Sequence, residues 1–180
     1  MSESCSSTET KKNKSFAIPL VSVHCGESEQ DESVEAIPCP VCGTKGAYVK
    51  IITVRHLVEK ELIENASQSD YRICMDKKCN VAYYSEDLSI IFEKNDLKVP
   101  LWFKEDASPR YACYCSRITE EDVFRAVKEQ KLTEINAIRQ YYDPEGKCHC
   151  NVKNPTGKCC TNAFNEFIIK ALGRLDKIEE

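Results

Sequence analysis

Twelve cysteines in a chain of 180 residues are the groups most able to do chemistry here, and their spacing sorts most of them into two sets. The first opens at Cys39-Pro40-Val41-Cys42-Gly43 and resumes at Cys74 and Cys79, with Met75-Asp76-Lys77-Lys78 between that second pair. A C-P-x-C-G turn aims two thiolates at one point, and its glycine lets backbone amides approach the sulfurs. Four thiolates from two such loops close a tetrahedral shell around Zn2+ and leave no open position for chemistry. Cys39, Cys42, Cys74 and Cys79 are therefore expected to form a structural zinc site, with His56 and Asp70 as nearby substitutes for any thiol that does not serve. The second set lies between Cys113 and Cys160. It begins with Cys113-Tyr114-Cys115 and ends with Cys148-His149-Cys150 and Cys159-Cys160. Near-neighbour cysteines rarely reach disulfide geometry without strain, whereas several thiolates presented together suit a cation or an iron–sulfur cluster. An iron–sulfur site is the first expectation for this stretch.

The compartment implied by the cysteines supports metal over disulfides. The amino terminus is polar and lysine-bearing, and its one apolar run, Phe16 to Val23, is short and holds Pro19, unlike an export signal. No stretch approaches the roughly 18 apolar residues that read as a membrane span. Clustered cysteines in a reducing compartment are metal ligands by default, so a cytoplasmic location with no membrane contact is expected. A net charge of −4 offers no basic excess to follow phosphates, which excludes an electrostatically driven nucleic-acid binder. No glycine-rich nucleotide loop is present, and three histidines leave little material for a nucleophilic triad. A stand-alone enzyme is the less expected class.

These residues need elements to position them. Residues 1–34 are dominated by Ser, Thr, Glu and Lys and read as a disordered leader. Cys5 and Cys25, the latter beside His24, fall within it and are assigned to no site. The predicted architecture is α+β, with a zinc-ribbon-like domain over 35–106 followed by a small helical domain over 107–180. Strands are predicted over Ala47 to Val54, Val81 to Tyr84 and Leu88 to Phe92, then an exit strand and linker from Lys94 to Pro109. Trp102 and Phe103 offer aromatic surface between the halves. Beyond Ser116, Thr119 caps a helix whose first turn is acidic and whose stripe is Val123, Ala126 and Val127. Thr133 is read as the cap of a second helix carrying Ile135 and Ile138. Turns are expected at Asp143-Pro144-Glu145-Gly146 and Asn154-Pro155-Thr156-Gly157. A last helix, about Asn162 to Leu175, sets Phe164, Phe167, Ile168, Ala171 and Leu172 at core spacing.

Two segments carry a family resemblance. Cys113-Tyr114-Cys115-Ser116-Arg117-Ile118-Thr119-Glu120, and the run from Cys150 through Asn154-Pro155-Thr156-Gly157-Lys158 to Cys159-Cys160, resemble the iron–sulfur amino-terminal module of the CopZ copper chaperones. That module is related to the bacterioferritin-associated ferredoxin fold and follows a zinc-binding domain, the order found here over roughly residues 37–175. The resemblance implies a [2Fe–2S] cluster held by Cys113, Cys115, Cys150 and Cys160, with Cys159 the rival for the fourth place and Cys148 for the third. It also implies one-electron transfer with an unknown redox partner protein, linked to reduction of Cu(II) to Cu(I), and helix starts near Thr119 and Asn162 that aim amides at the cluster. The chain shows no M-x-C-x-x-C loop such as the family's separate copper-carrying domain has. That departure counts against Cu(I) delivery by the family's usual two-thiolate site. A second expectation, from the spare soft thiols Cys25, Cys148 and Cys159, is a Cu(I) or heavy-metal carrier with copper ions or a copper-transport protein as partner. A third is an interaction module with two structural zincs. His149 is either a tuning group or a merely exposed histidine.

Overall fold

A four-stranded antiparallel meander and a helical bundle share one chain in this computed structural model, which describes residues 37–176 apart from 63 and 65–67. The expectations for the leader, Cys5, Cys25 and the last four residues lie outside the described residues.

The meander runs β1 (Ala47–Val49), β2 (Tyr71–Ile73), β3 (Val81–Ser85) and β4 (Ile91–Glu93), paired in sequence order. The register sets Ala47 opposite Ile73 and Arg72 opposite Tyr84, and it shifts at Val81/Tyr83 on the β4 side. β3 reads V-A-Y-Y-S and is buried at every position, the pattern of a strand covered on both faces. Its tyrosines bring hydroxyls into the interior, and each finds a carbonyl: Tyr84 donates to Ile37 at 2.6 Å and Tyr83 to Pro155 at 2.7 Å.

Two expectations for this half are corrected. The predicted strand over Ala47 to Val54 ends at Val49, and Ile51–Leu57 form helix α1 instead. Thr53, Val54 and Leu57 fall on one helical face and are buried. Burying such side chains is worth about 1.5–3 kcal/mol each, well above the few tenths that β-branched residues cost in a helix. The predicted exit strand after Lys94 is likewise absent among the described residues. Lys94–Asp96 form a 3-10 turn, closed by reciprocal capping between Glu93 and Asp96, and Leu97 contributes a single bridge to Val58. Leu97 and Leu101 are anchored in the core beneath the sheet, so this segment packs as irregular chain.

The second half starts with a two-stranded ribbon, β5 (Tyr111–Cys113) and β6 (Ile118–Thr119). Helices α2 (Glu120–Gln130), α3 (Ile135–Tyr142), α4 (Cys150–Lys153) and α5 (Thr161–Asp176) follow. Thr119 caps α2 as expected, accepting from the Asp122 amide while the Asp122 carboxylate accepts from the Thr119 amide at 3.0 Å. Thr133 does not cap α3: the cap residue is Glu134, and no side chain bonds there. Val123, Ala126, Val127, Ile138, Phe164, Phe167, Ile168 and Ala171 form the core between the helices.

The two cores meet at Trp102 and Phe103. Trp102 packs on the helical core and Phe103 on the sheet core, with their rings edge to face at 5.0 Å. No helix of the described residues is long and apolar enough to cross a membrane.

Candidate metal centres

The first set of thiols comes together through two turns. Gly43 adopts φ +74°, which glycine takes without strain, and its amide donates to the Cys39 carbonyl at 2.9 Å. In the second loop the Asp76 carboxylate accepts from the amides of Lys78 (2.9 Å) and Cys79 (2.8 Å), closing the turn between Cys74 and Cys79. The sulfurs of Cys39, Cys42, Cys74 and Cys79 all lie within 4.8 Å of one another. Cys42 and Cys74 are 3.5 Å apart, Cys39 and Cys79 4.0 Å. Four soft donors with these separations suit the tetrahedral shell of Zn2+. His56 and Asp70 are not members of this group.

Burial divides the thiols of this set. Cys42 is exposed, and its hydrogen bond with the Thr44 side chain draws the thiol down to about 6. Burial pushes Cys74 well up and Cys79 up as well. A cation arriving here meets the Cys42 thiolate and displaces protons from Cys74 and Cys79.

Lys104 is a residue that sequence reasoning missed. It is 1% exposed, and its ammonium donates to the carbonyls of Cys74 (3.1 Å), Asp76 (2.7 Å), Cys79 (2.8 Å) and Val81 (3.0 Å). A buried charge persists only where its donors are satisfied. Here it ties the second loop together from behind and sets a positive charge beside the thiolates. A lone lysine after Trp102-Phe103 gives no sequence signal of this role.

The second set is assembled from distant elements. Cys113 ends β5, Cys115 follows it, Cys150 begins α4 and Cys160 immediately precedes α5. Cys115 and Cys150 bring their sulfurs to 3.7 Å, and the His149 amide donates to the Cys115 sulfur at 3.2 Å. Cys150, Cys159 and Cys160 fall within 4.8 Å of one another, whereas Cys113 and Cys115 belong to neither compact group. Cys113, Cys150 and Cys160 are buried, Cys115 and Cys159 partly exposed, and Cys148 exposed. The His149 side chain is exposed, and it is the backbone of that residue that reaches the thiols.

Arg139, on α3, was also missed. Its guanidinium donates to the sulfur of Cys160 at 2.8 Å and approaches those of Cys148 (3.7 Å) and Cys113 (3.8 Å), with Phe164 stacked beneath at 5.8 Å. Hydrogen bonds from Cys115 and Cys160, with the Arg139 charge, hold the Cys113 thiol far below its usual range. Cys115 is pushed far up by the same bond to Cys113. Cys150 is drawn down by Cys115, but Cys160 and burial outweigh that and leave it at about 12. The metal-free set therefore concentrates one negative charge and keeps its other protons.

The sheet half reaches across to hold the loop that carries Cys150 and Cys160. Thr53 on α1 donates to the Asn151 carbonyl at 2.6 Å, and Tyr83 on β3 donates to Pro155 from a fully buried position. Within the loop, Asn154 is buried and accepts from the Thr156 amide and hydroxyl, and Gly157 takes φ +68°. A methyl added at Gly157 would approach the Thr53 hydroxyl to 3.1 Å. The N-P-x-G turn is thus shaped to fit against the sheet half.

Known proteins resemble this chain over much of its length. Residues 36–98 match a family described as the zinc binding domain of CopZ. The chain is 34% identical over 122 residues to the copper chaperone CopZ of Archaeoglobus fulgidus, an alignment spanning 68% of this chain and 57% of that protein. The X-ray structure of the Archaeoglobus fulgidus CopZ N-terminal domain superposes with a TM-score of 0.61 at 28% identity, covering 72% of this chain and 96% of that one. The chain spans little more than half the length of that curated relative.

Proposed function

Proceeding from a CopZ-like N-terminal region with its zinc-binding domain, we propose that this protein binds metals at two thiol centres and serves copper homeostasis in the cytoplasm. In the first centre Cys39, Cys42, Cys74 and Cys79 hold Zn2+, which supplies folding energy and no open coordination position. In the second, Cys113, Cys115, Cys150 and Cys160 hold the reactive group, with the division between the halves near residues 106–107. Copper ions and a copper-transport protein are the proposed cargo and partner, following the relative's name.

The second centre admits two occupants. Soft thiolates select Cu(I), and the relative's name favours a carrier of this kind. Geometry supports a [2Fe–2S] cluster in a helical domain of the bacterioferritin-associated ferredoxin type. Cys113 bonds to Cys115 and Cys160, and Cys115 lies 3.7 Å from Cys150, so the four thiols are neighbours in a ring. That suits a rhomb taking two thiolates per iron, and such a cluster supplies one-electron transfer when bound. The Arg139 guanidinium would offset the charge of the thiolates, and the His149 amide would hydrogen-bond one of them. A redox partner protein would then be required.

The observation that carries the proposal is the 3.7 Å contact between Cys115 and Cys150, which joins the C-x-C pair to the distant cysteine loop. Anaerobic purification followed by assay of iron, acid-labile sulfide, zinc and copper on one sample tests it. Two irons, two sulfides and one zinc, with a visible spectrum that dithionite bleaches, support the cluster. One zinc with stoichiometric Cu(I) uptake and no sulfide supports the carrier. Two zincs with neither iron nor copper uptake overturn both.

A further inference from the structure

The segments that carry the second centre have a charge of their own. Residues 110–119 and 146–165 supply every thiol of that centre, and they hold Arg110, Arg117, Lys147, Lys153 and Lys158 but none of the chain's 29 acidic residues. This local excess of cations stands in a chain whose net charge is −4. Elsewhere cations sit beside carboxylates: Arg72 with Glu86, Lys94 with Asp106, Arg125 with Asp122, and Lys170 and Arg174 with Glu120. Among the described residues no carboxylate pairs with Arg117, Lys147 or Lys153. Donation to the sulfurs is the work of Arg139, not of these three. Arg117 and Lys147 are exposed and Lys153 is half-buried, so their charge is offered to solvent.

The centre opens to solvent among the same residues. Cys113, Cys150 and Cys160 are buried, whereas Cys115 is partly exposed and Cys148 exposed. Arg117 follows Cys115 closely in the chain. The His149 amide, 3.2 Å from the Cys115 sulfur, holds the 147–149 stretch against that thiol. Lys153 ends α4, the short helix that Cys150 begins.

We infer that this face docks a protein partner that presents carboxylates, seating it over the solvent-facing edge of the second centre. The inference deepens the reading of that centre given above by naming the chemistry of its partner. Complementary charge speeds encounter and fixes orientation more than it adds affinity, and salt screens it. An acidic partner is repelled by the rest of this chain, which holds all 29 acids, and is attracted here, so the asymmetry itself aims the approach. A nucleic acid would carry its phosphates past these few cations and meet that repulsion along its length. A compact carboxylate patch on a folded protein would not.

The test uses the full-length protein as purified. Binding of a fluorescent oligoglutamate peptide is followed by anisotropy at an ionic strength of about 0.01 M and again at about 0.15 M. Binding is expected at low salt, although protein and peptide share the sign of their net charge, and it should weaken about tenfold or more at the higher salt. Lys147→Glu/Lys153→Glu should abolish it. Lys45→Glu/Lys60→Glu, an equal change of charge on exposed residues of the sheet half, should leave it within about twofold. Arg117→Gln, a milder change, should weaken it about threefold. Circular dichroism and zinc content check that each variant is folded. The inference is overturned if the peptide does not bind at low salt, or if Lys147→Glu/Lys153→Glu binds it as the wild type does. Tighter binding of an oligothymidylate of similar charge would also overturn it, by making the partner a nucleic acid. Peptide binding does not depend on which metal the second centre holds, and metal contents of the unaltered protein test that reading separately, so the two failures are distinguishable.

Discussion

Two thiol centres in one chain are built on opposite plans. The zinc loops each bring a pair of cysteines together by local turn chemistry, Gly43 in one and Asp76 in the other, and the sheet sets the pairs face to face. The second centre draws on the end of a ribbon, a four-residue helix and the residue before α5, elements separated by up to 47 positions. Their charge balance differs in kind as well. Lys104 acts on the zinc set through backbone carbonyls, whereas Arg139 bonds directly to sulfur. A centre held through its backbone is rigid and suits a structural ion. One whose sulfurs accept hydrogen bonds from a guanidinium has its electronic properties exposed to the protein.

The largest expected break in this comparison is Cys74→Ser. Removing one of the four proposed zinc ligands should forfeit much of a binding free energy of order 10 kcal/mol that is also folding free energy. The sheet half should melt, zinc content should fall to zero, and the second centre should be lost with it because Thr53 and Tyr83 no longer hold its loop. Metal analysis with circular dichroism reads all three.

Lys104→Met tests the backbone support alone. Three buried carbonyls and one partly buried would lose their donor, which should cost about 3 kcal/mol or more in stability and hasten zinc transfer to a chelator. Denaturant melts of the zinc-loaded protein measure it, and an unchanged midpoint would remove Lys104 from the account.

Arg139→Gln should act at the other centre. Losing a charge-assisted bond worth about 1.5–3 kcal/mol should leave zinc content unchanged and speed loss of the second metal group. Protein yield and zinc are the controls, and the release rate is the readout. Tyr83→Phe should be milder, about 1 kcal/mol, because it removes one buried hydrogen bond to Pro155 and keeps the ring. Its signature is faster loss from the second centre at constant zinc.

The smallest effect concerns pH. In metal-free protein the Cys42 thiol titrates near 6, below the ordinary 9.0, so its thiolate persists at neutrality. A depressed value means that any stability it lends is fully present above the ordinary value and lost as pH falls through about 6. Alkylation by iodoacetamide should therefore mark Cys42 first at pH 7 and slow as pH drops below 6, with Cys150 resistant throughout.

Much of the chain was legible before folding was considered. The C-P-x-C-G turn, the Thr119 N-cap and the core spacing of α5 are local features whose physics acts within a few residues, and the structure contains each of them except that Leu172 of the expected α5 core is exposed. Residues 51–54 were not legible as helix. Their β-branched composition favours a strand locally, and the choice was made by burial against the loop holding Asn151 and Gly157. The same limit hid β2, whose three residues gain their meaning from neighbours on both sides.

The sequence by itself determined that this protein is a thiol-rich metal binder with a C-P-x-C-G loop, because ligand type and turn chemistry are properties of adjacent residues. Which single cations serve the thiols was settled by tertiary packing, since Lys104 reaches its carbonyls across 23 to 30 positions and Arg139 reaches Cys160 and Cys113 across 21 and 26. It alone also set Met75 and Cys159 along the wall of one cavity, because long-range proximity depends on how two cores pack and no spacing in the chain records it.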